Sequence, residues 1–449
     1  MIRRTPRHGI DRRTFLAASA ALLTGAVPAK FSQGFDARPI VERRTIDELA
    51  TTDPAEVARI RRAYAEMFAW SAAYPSDPRS WPQQRLLHAR ISQRGRTDPH
   101  YRIHGSHHFF PWHRAYLYFH ERILAWHLTG QTTLDPTFRL PVWAWESDFE
   151  ALNNPSIYTD DLDAAGLRNP LLHPRRFLLF ARNDTNALAA MTFSGRDFFG
   201  YPPAPGASTN GSIENGVHAN IHVDVGDDMG LIVTAANDPL FFAHHANIDR
   251  LWNWWSALRG AGAAATFDDW RHVAWTFADW DGSLVAVRSV DLIDHERSLR
   301  YAYAKAPPHL AAPADAVERP LLHADARWHA TRDVRLQVVA ARRVALKLRD
   351  IRVPGPGHFA VSAVLPGRNA EPVVLGTFIV LDHHAVDRAN AYLDVSETRA
   401  MLVHPSGVRL VLMHDPHKHG QHDFGFTLGS GGTTVLDLMA REITLHLIA

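Results

Sequence analysis

The residues of this sequence best suited to chemistry are two groups of histidines. The first contains three histidines, and the second contains a pair four residues apart followed by two adjacent histidines. Because the chain has no cysteine, imidazole is the best ligand left for copper, zinc, iron or nickel. The candidate ligands are His88, His104 and His113 in the first group, and His218, His222 and one of His244 and His245 in the second.

Spacing alone does not identify a metal site, because a histidine-rich chain contains such pairs by chance. His218 and His222 are four residues apart, so on a helix their rings lie on one face and can point at one ion. The run from His100 through His104 to His108 has the same spacing. We set this run aside as a ligand face because a glycine and a serine interrupt it as a helix.

A repeated pattern separates the two groups from chance. Phe-Phe-x-x-His occurs at Phe109–His113 and again at Phe241–His245, each time downstream of two further histidines. The parallel favours His245 over His244 as the last ligand. Three neutral imidazoles leave open positions on each metal, unlike a structural zinc site with four protein ligands. Two such half-sites facing each other in a helical bundle would hold two copper ions, with a zinc pair as the alternative.

Helices must carry these histidines, and apolar periodicity predicts where they lie. Apolar residues recur at helical spacing from about Asp53 to Trp70. A second helix is expected after Pro111, and a third from about Asn237 to Leu258, because proline and Asn or Asp suit helix starts. The central part of the chain, residues 30–304, is therefore expected to be mainly α.

The last part of the chain has a different period. A proline-rich linker is expected at residues 305–320, and beyond it apolar residues alternate with a period of two. This predicts an all-β domain of sandwich or jelly-roll type over residues 321–449. Its expected strands lie at 334–339, 344–348, 359–364 and 408–412.

The start of the chain has the composition of an export signal. Arg12-Arg13 precedes a short apolar run that ends at Val27-Pro28-Ala29, a small-residue cleavage site. This resembles a twin-arginine signal peptide over residues 1–29, which predicts a periplasmic or secreted protein. The apolar run is shorter than the about 20 residues that span a bilayer, so no membrane anchor is expected after the signal is removed.

Charge and composition exclude several partner classes. The net charge is +1, and no basic block interleaved with aromatic residues suggests a nucleic-acid surface. The absence of cysteine excludes disulfides, thiolate metal sites and a cysteine nucleophile. The expected partners are small molecules, and the sequence does not specify an oligomeric state.

Around the histidines the sequence resembles the type 3 copper proteins, namely tyrosinases, catechol oxidases or polyphenol oxidases, and molluscan haemocyanins. The resemblance rests on Asp77–Gln84, Phe109–Arg122, Leu140–Glu146 and Asp238–Trp252. It implies a four-helix bundle around two copper ions that bind O₂. Carried over by position, it implies that His88, His104 and His113 bind one copper, that His218, His222 and His245 bind the other, and that Glu214 holds a water molecule that accepts the phenol proton.

The sequence departs from the family at the expected substrate pocket. Ser92 replaces the cysteine that forms a thioether in plant enzymes, and Ala219 replaces an asparagine associated with monophenol hydroxylation. Ile232 replaces a bulky phenylalanine that gates the first copper in plant enzymes. The resemblance places Ala219, Val223 and Ile232 in the substrate pocket, and His244, Asn247 and Asp249 around the copper ligands.

The resemblance implies oxidation of o-diphenols (catechols) to o-quinones with reduction of O₂ to water, and leaves weak monophenol hydroxylation open. The alternatives are oxidation of o-aminophenols and haemocyanin-like O₂ binding without turnover. The resemblance also implies that the C-terminal domain shields the active site in a latent proenzyme; the alternative is an independent binding module. Its histidine cluster at residues 414–422 is interpreted as an exposed polar loop, with copper capture as the other possibility.

Overall fold

The computed structural model shows a helical central domain followed by a β-rich C-terminal domain. Each has its own apolar core, one formed between Ile46 and Tyr303 and the other between Trp328 and Leu445. The structure describes residues 38–147, 155–163, 166–173, 175–176, 193, 195–259, 268–306, 319–324, 326–341, 343–355, 357–367, 371–380, 387–415 and 434–448.

The central domain is built from helices joined by short turns. Its long helices begin at favourable caps: the Ser80 hydroxyl accepts a hydrogen bond from the Gln83 amide, and the Asp53 carboxylate accepts one from Glu56. The described helices of the chain are α1 (Ile46–Thr52), α2 (Pro54–Ala73), α3 (Trp81–Arg94), α4 (Phe109–Leu128), α5 (Ser156–Thr159), α6 (Arg196–Phe199), α7 (Ala219–Val225), α8 (Leu240–Arg259), α9 (Asp268–Arg271), α10 (His295–Leu299), α11 (Arg332–Ala340) and α12 (Arg399–Leu402).

Helix α4 lies at the centre of the domain, and all 20 of its residues are buried. Helices α2 and α8 pack against it. The ring of His120 on α4 stacks on Phe242 of α8 at 3.6 Å between centroids. A buried charge without a partner is strongly destabilising, and Arg122 of α4 is accordingly paired with Asp279 at 2.7 Å.

Short strands complete the central domain and bring a further arginine into its core. β1 (Val41–Glu42) pairs with β4 (Tyr301–Ala302), and β2 (Ala274–Ala278) pairs with β3 (Leu284–Arg288). Arg43, directly after β1, reaches Glu121 of α4 at 2.9 Å and Asp249 of α8 at 3.4 Å. This buried ion network fixes α4 against α8, the two helices that carry the Phe-Phe-x-x-His repeats.

The C-terminal domain consists of two antiparallel sheets packed around one core. The strands are β5 (Arg319–Ala324), β6 (Arg327–Trp328), β7 (Arg343–Arg352), β8 (Gly357–Val364), β9 (Val373–Val380), β10 (Arg388–Asp394), β11 (Val408–Asp415), β12 (Thr434–Asp437) and β13 (Glu442–Ile448). The order is β10-β7-β13-β5 in the first sheet and β12-β11-β8-β9 in the second, where β6 also pairs with β11.

The expected fold class is confirmed: a helical domain that carries the histidines is followed by a β-rich domain. The strand expected at 334–339 is wrong, because this segment is part of α11. The Thr331 side chain caps α11 by accepting a hydrogen bond from the Val334 amide, and Val338 is buried whereas Leu336 is exposed. The linker was expected to extend to residue 320, but β5 already begins at Arg319. Residues 1–29 and 416–422 lie outside the described residues. The exposed loop expected from residue 414 is wrong at its start, because His414 and Asp415 end β11 and His414 is buried.

Candidate metal centre

The first histidine group is assembled from one helix, one loop and a second helix. His88 lies in the middle of α3, His104 follows a short 3₁₀ turn, and His113 lies in the second turn of α4. The Nε2 atoms of His88 and His104 are 3.3 Å apart, and the ring centroids of His104 and His113 are 5.0 Å apart. All three are buried and offer ligand atoms within 4.8 Å of one another, which is close enough to bind one metal ion.

The second group comes from a turn and two helices. His218 ends a π-helical turn, His222 lies in α7, and His244 and His245 lie in α8. The Nε2 atoms of His222 and His245 are 3.1 Å apart. These four buried histidines also offer ligand atoms within 4.8 Å of one another. The structure therefore brings together both sets of histidines that the sequence analysis selected.

Backbone carbonyls fix the orientation of three of these rings. The Nδ1–H groups of His113, His218 and His222 donate to the carbonyls of Phe109, Glu214 and Met229 at 2.8, 3.0 and 2.9 Å. In a neutral ring this leaves a lone pair on Nε2, the arrangement found in metal-binding histidines. The Nε2 atoms of His113 and His218 are buried and have no protein partner. The residues present therefore suit two copper ions, which accept imidazole nitrogen.

His244 and His245 differ in their hydrogen bonds. The indole N–H of Trp145 donates to Nδ1 of His244 at 3.0 Å, so the neutral ring carries its proton on Nε2 and has no free lone pair. Burial lowers the pKa of His244 well below its ordinary value, and the neighbouring His222 and His113 lower it further. His245 instead faces His222 through Nε2. These contacts favour His245 as the metal ligand.

Five of the six proposed ligands have pKa values that their surroundings lower, so these rings are neutral at pH 7. Burial lowers the pKa of His113 to about 3 and that of His222 to about 4. Burial also lowers the pKa values of His88, His218 and His245 well below the ordinary value, and neighbouring histidines lower them further. A metal ion therefore does not have to displace protons from these rings, which favours binding at neutral pH.

The two groups face each other across a narrow cavity. The rings of His113 and His245 stack with centroids 4.4 Å apart and an angle of 14° between their planes. The cavity has a volume of about 10 Å³, room for roughly one water molecule and far too little for a phenol ring. It is lined by His88, His104, His218, His222, Met229, Gly230, Ile232 and Ala235.

Glu214 lies at the start of the π-helical turn, next to the histidines. Its Oε1 accepts a hydrogen bond from the Gly105 amide at 2.5 Å, and its Oε2 is buried without a protein partner. Burial raises the pKa of Glu214 to about 8, and the backbone amides of Gly105 and Ser106 nearby oppose this rise. In the absence of metal the side chain is therefore mostly protonated at neutral pH.

This shift predicts a pH-dependent stability difference in the metal-free protein. The folded state keeps the proton on Glu214 up to about pH 8, whereas the unfolded chain loses it near the ordinary value of 4.5. Wild type should therefore lose stability relative to Glu214→Gln as the pH rises through this interval, because only the unfolded wild type releases the proton. Urea unfolding at a series of pH values measures the difference. Parallel stability curves for the two proteins would contradict the assigned burial of Glu214.

The expected substrate-pocket residues lie on two sides of the site. Ile232 lines the cavity between the histidine groups. Ala219 and Val223 project from α7 toward the C-terminal domain and form a buried apolar cluster with Ile379 of β9. Sequence reasoning missed Ile379, because nothing in a β-strand pattern shows which residue of a second domain faces the site.

Asn247 and Asp249 lie on α8 but do not contact the histidine rings through any hydrogen bond in the described residues. The Asn247 amide donates to Glu146 at 2.6 Å. Asp249 accepts hydrogen bonds from Tyr301 and Tyr303 and pairs with Arg114. Burial alone would raise the pKa of Asp249, but neighbouring arginines lower it below its ordinary value. Both residues therefore support α8 rather than the rings.

Histidines outside the two groups have other contacts. His100 bonds through Nε2 to the carbonyl of Ala274 at 2.9 Å, and His108 packs on Trp275, so the run His100–His108 forms no common ligand face. The residues that fix the rings, Trp145 and the carbonyl of Met229, were also missed by sequence reasoning. A carbonyl carries no sequence signal, although Trp145 stands within one of the motifs on which the resemblance rests.

Comparison with known proteins agrees with this geometry. The family model of the common central domain of tyrosinase matches residues 78–194 and 202–258. The crystal structure of the polyphenol oxidase of Grenache grape, Vitis vinifera, aligns with 31% identity over 64% of this chain and 91% of that chain, with a TM-score of 0.50. The chain belongs to the tyrosinase family.

Other members of the tyrosinase family resemble further parts of the chain. The latent, chloroplastic polyphenol oxidase of Prunus armeniaca is 35% identical over 292 residues, 55% of this chain and 46% of that protein. The chain thus matches about half the length of this relative. A solved latent aurone synthase (polyphenol oxidase) covers 94% of this chain and 92% of its own, with a TM-score of 0.65 and 22% identity. This likeness shows a shared fold across both domains.

Within the described residues, no helix combines the length and the apolar character needed to cross a membrane.

Proposed function

We propose that this protein oxidises catechols to o-quinones, with two copper ions bound by His88, His104 and His113 and by His218, His222 and His245. The observation that carries the proposal is the paired ring arrangement. Backbone carbonyls fix the Nδ1 atoms of three of the rings, and histidines of both groups line one narrow cavity. The Nε2 atoms of His113 and His218 have no protein partner. An all-imidazole set of this kind suits copper in both of its common oxidation states.

Bound copper would supply the electron-transfer chemistry and the position at which O₂ binds. In the net reaction, two catechol molecules and one O₂ give two o-quinones and two water molecules. The protein itself contributes a site shielded from bulk solvent, because every proposed ligand is buried. Its neutral imidazoles leave the charge of the copper ions uncompensated, which favours a substrate that binds as an anion.

Glu214 is assigned to the proton of the substrate. Its Oε2 is buried and without a protein partner, so it can hold a water molecule that takes the proton from the phenol oxygen. The positive charge of nearby metal ions lowers the pKa of a carboxyl group. In the loaded enzyme we therefore expect Glu214 to be ionised, and able to accept that proton, at a lower pH than in the metal-free protein.

Oxygen uptake tests this function directly. The copper-loaded protein, activated if latent, is given catechol, tyrosine or 2-aminophenol, and quinone absorbance is followed in parallel. The proposal expects uptake with catechol and weak or no uptake with tyrosine, since Ala219 stands at the position linked to monophenol hydroxylation. Faster uptake with 2-aminophenol would support the aminophenol alternative. Reversible O₂ binding without product from any substrate would favour the haemocyanin-like alternative.

The C-terminal domain, residues 321–449, is proposed to shield the active site. Ile379 of β9 packs on Ala219 and Val223 of α7, the helix that also carries His222. The cavity between the histidine groups is too small for a phenol ring, so substrate entry requires the surrounding residues to move. The shield proposal therefore names one residue, Ile379, whose removal should admit substrate.

Export remains part of the proposal for residues 1–29, which lie outside the described residues. A twin-arginine signal would be removed before Lys30, leaving a catalytic domain over 30–304 and a linker that starts at residue 305 and ends before β5. The amino-terminal sequence of the protein recovered from the periplasm or the medium tests this assignment. Cytoplasmic protein that keeps Arg12 and Arg13 would contradict it.

A further inference from the structure

The turn that carries Glu214 and His218 has an unusual conformation. Residues Glu214–His218 form a π-helical turn, and Gly216 within it departs from helical angles with φ of −91° and ψ of −106°. Short π-helical turns are uncommon and often occur at functional sites. Because this turn places a proposed copper ligand and the proposed proton acceptor, the contacts that hold its shape bear on both.

The C-terminal domain supplies such contacts. The side-chain amide of Asn215 donates a hydrogen bond to the backbone carbonyl of Asn390 in β10. The side-chain amide of Asn390 in turn donates to the carbonyl of Asn210 at 3.3 Å. All three asparagines are buried, with exposed fractions of 6%, 5% and 1% for Asn215, Asn390 and Asn210. β10 therefore holds both ends of the segment that leads into the turn.

The strand next to β10 is distorted at this contact. The pairing of β7 with β10 shifts opposite Asn390, where Asp350 has a positive φ of 50°. The Asp350 amide donates to the Asn390 side-chain oxygen at 3.1 Å. A non-glycine residue with positive φ is uncommon, and bulges of this kind re-aim side chains near functional sites. The hydrogen bond from the Asp350 amide therefore joins the irregular part of β7 to the Asn390 side chain, which lies at the contact between the two domains.

The backbone before the turn also joins the β-domain. β10 is an edge strand of its sheet, and the segment at Ala207 runs parallel to it. The Ser208 amide donates to the Arg388 carbonyl at 2.8 Å, and the Asp387 amide donates to the Gly206 carbonyl at 3.0 Å. Two backbone hydrogen bonds and the Asn215 bond therefore tie one continuous stretch, residues 206–215, to β10.

We propose that the C-terminal domain positions the Glu214–His218 turn through Asn215, so that docking of this domain and binding of copper at the second histidine group stabilise each other. The inference rests on the proposed copper ligands and makes Asn215 a positioning residue. It differs from the proposed shielding by Ile379, which concerns the access of substrate to the cavity between the histidine groups. Thermodynamic coupling is reciprocal, so copper must tighten the docking of β10 by the same factor by which docking tightens copper.

The first test uses the full-length wild-type protein with and without copper. Hydrogen exchange is measured for the amides of β10 and of the Glu214–His218 turn. The proposal expects copper to slow exchange in both segments by about 5- to 150-fold, the usual range of coupling between two sites. If copper slows exchange in the turn but leaves β10 unchanged, the coupling is disproved.

The second test removes the Asn215 amide with Asn215→Ala. Copper titration of the metal-free variant is expected to show weaker binding of one of the two ions by about 5- to 150-fold, with the other ion unaffected. Copper should also no longer slow exchange in β10. The matched control is Asn169→Ala, which removes a buried amide that donates to the carbonyls of Ile157 and Asp160 in the central domain.

The outcomes separate this inference from the proposed function. If wild type binds no copper in the histidine groups, the proposed function fails. If wild type binds two ions, and Asn215→Ala binds both equally tightly while copper still protects β10, only the coupling fails. Equal weakening in Asn169→Ala and Asn215→Ala would show a general loss of stability and would also overturn the coupling.

Discussion

Replacing His245 with alanine is expected to leave one copper ion per chain and to lower kcat/KM for catechol by more than about 100-fold. Losing a residue that only orients a metal ligand lowers activity by up to about 100-fold, and losing the ligand itself should lower it further. His244→Ala should retain two copper ions at saturating copper, with losses of about 10- to 100-fold at most. Atomic absorption measures the number of copper ions per chain, and initial rates with catechol measure kcat/KM.

The expected difference follows from hydrogen bonding. Both histidines are buried in α8, but only His244 receives the indole N–H of Trp145 at its Nδ1. His120→Ala is a suitable control, because His120 is buried on α4 and bonds to Gln84 at 3.1 Å rather than facing a metal group. A variant series in which His244→Ala loses one copper and His245→Ala keeps both would reverse the assignment.

The full-length Ile379→Ala variant is expected to raise kcat/KM for catechol by about 30-fold. Truncating a buried isoleucine costs about 2–5 kcal/mol, and every 1.4 kcal/mol changes an equilibrium tenfold. If the substitution destabilises the docked position of the C-terminal domain by about 2 kcal/mol, the fraction of molecules with this domain undocked rises about 30-fold. At saturating copper the variant should still bind two ions, because Ile379 packs on Ala219 and Val223; the more often undocked C-terminal domain should weaken copper binding only below saturation.

Val374→Ala is the matched control for Ile379→Ala. Val374 lies on the same strand, β9, but it is exposed, so its truncation should leave the catechol rate unchanged. Equal activity of Ile379→Ala and wild type, with two copper ions in each, would show that this contact does not limit access. The C-terminal domain would then be better described as an independent module.

Much of the fold could be predicted from periodicity. The apolar residues of α2 and α8 recur at helical spacing, and both helices lie within a few residues of the expected positions. The segment 334–339 could not be assigned correctly, because valine-rich alternation is typical of strands. Its helix depends on the cap at Thr331 and on packing of Val338 and Val334 against the core.

Ligand type and spacing indicated the histidine groups, and the structure brings the same residues together. What the sequence could not supply are the contacts that depend on three-dimensional packing. The choice between His244 and His245 rests on Trp145, which lies about 100 positions earlier in the chain. The roles proposed for Ile379 and Asn390 rest on how a second domain docks, which the pattern within a strand does not encode.

Each of the two triads of imidazoles is proposed to bind one copper ion, with the two ions facing each other. Anomalous diffraction at the copper absorption edge, from crystals of the copper-loaded full-length protein, tests this arrangement most directly. We expect two peaks, one among His88, His104 and His113 and one among His218, His222 and His245. A single peak, or a second peak outside these residues, would contradict it.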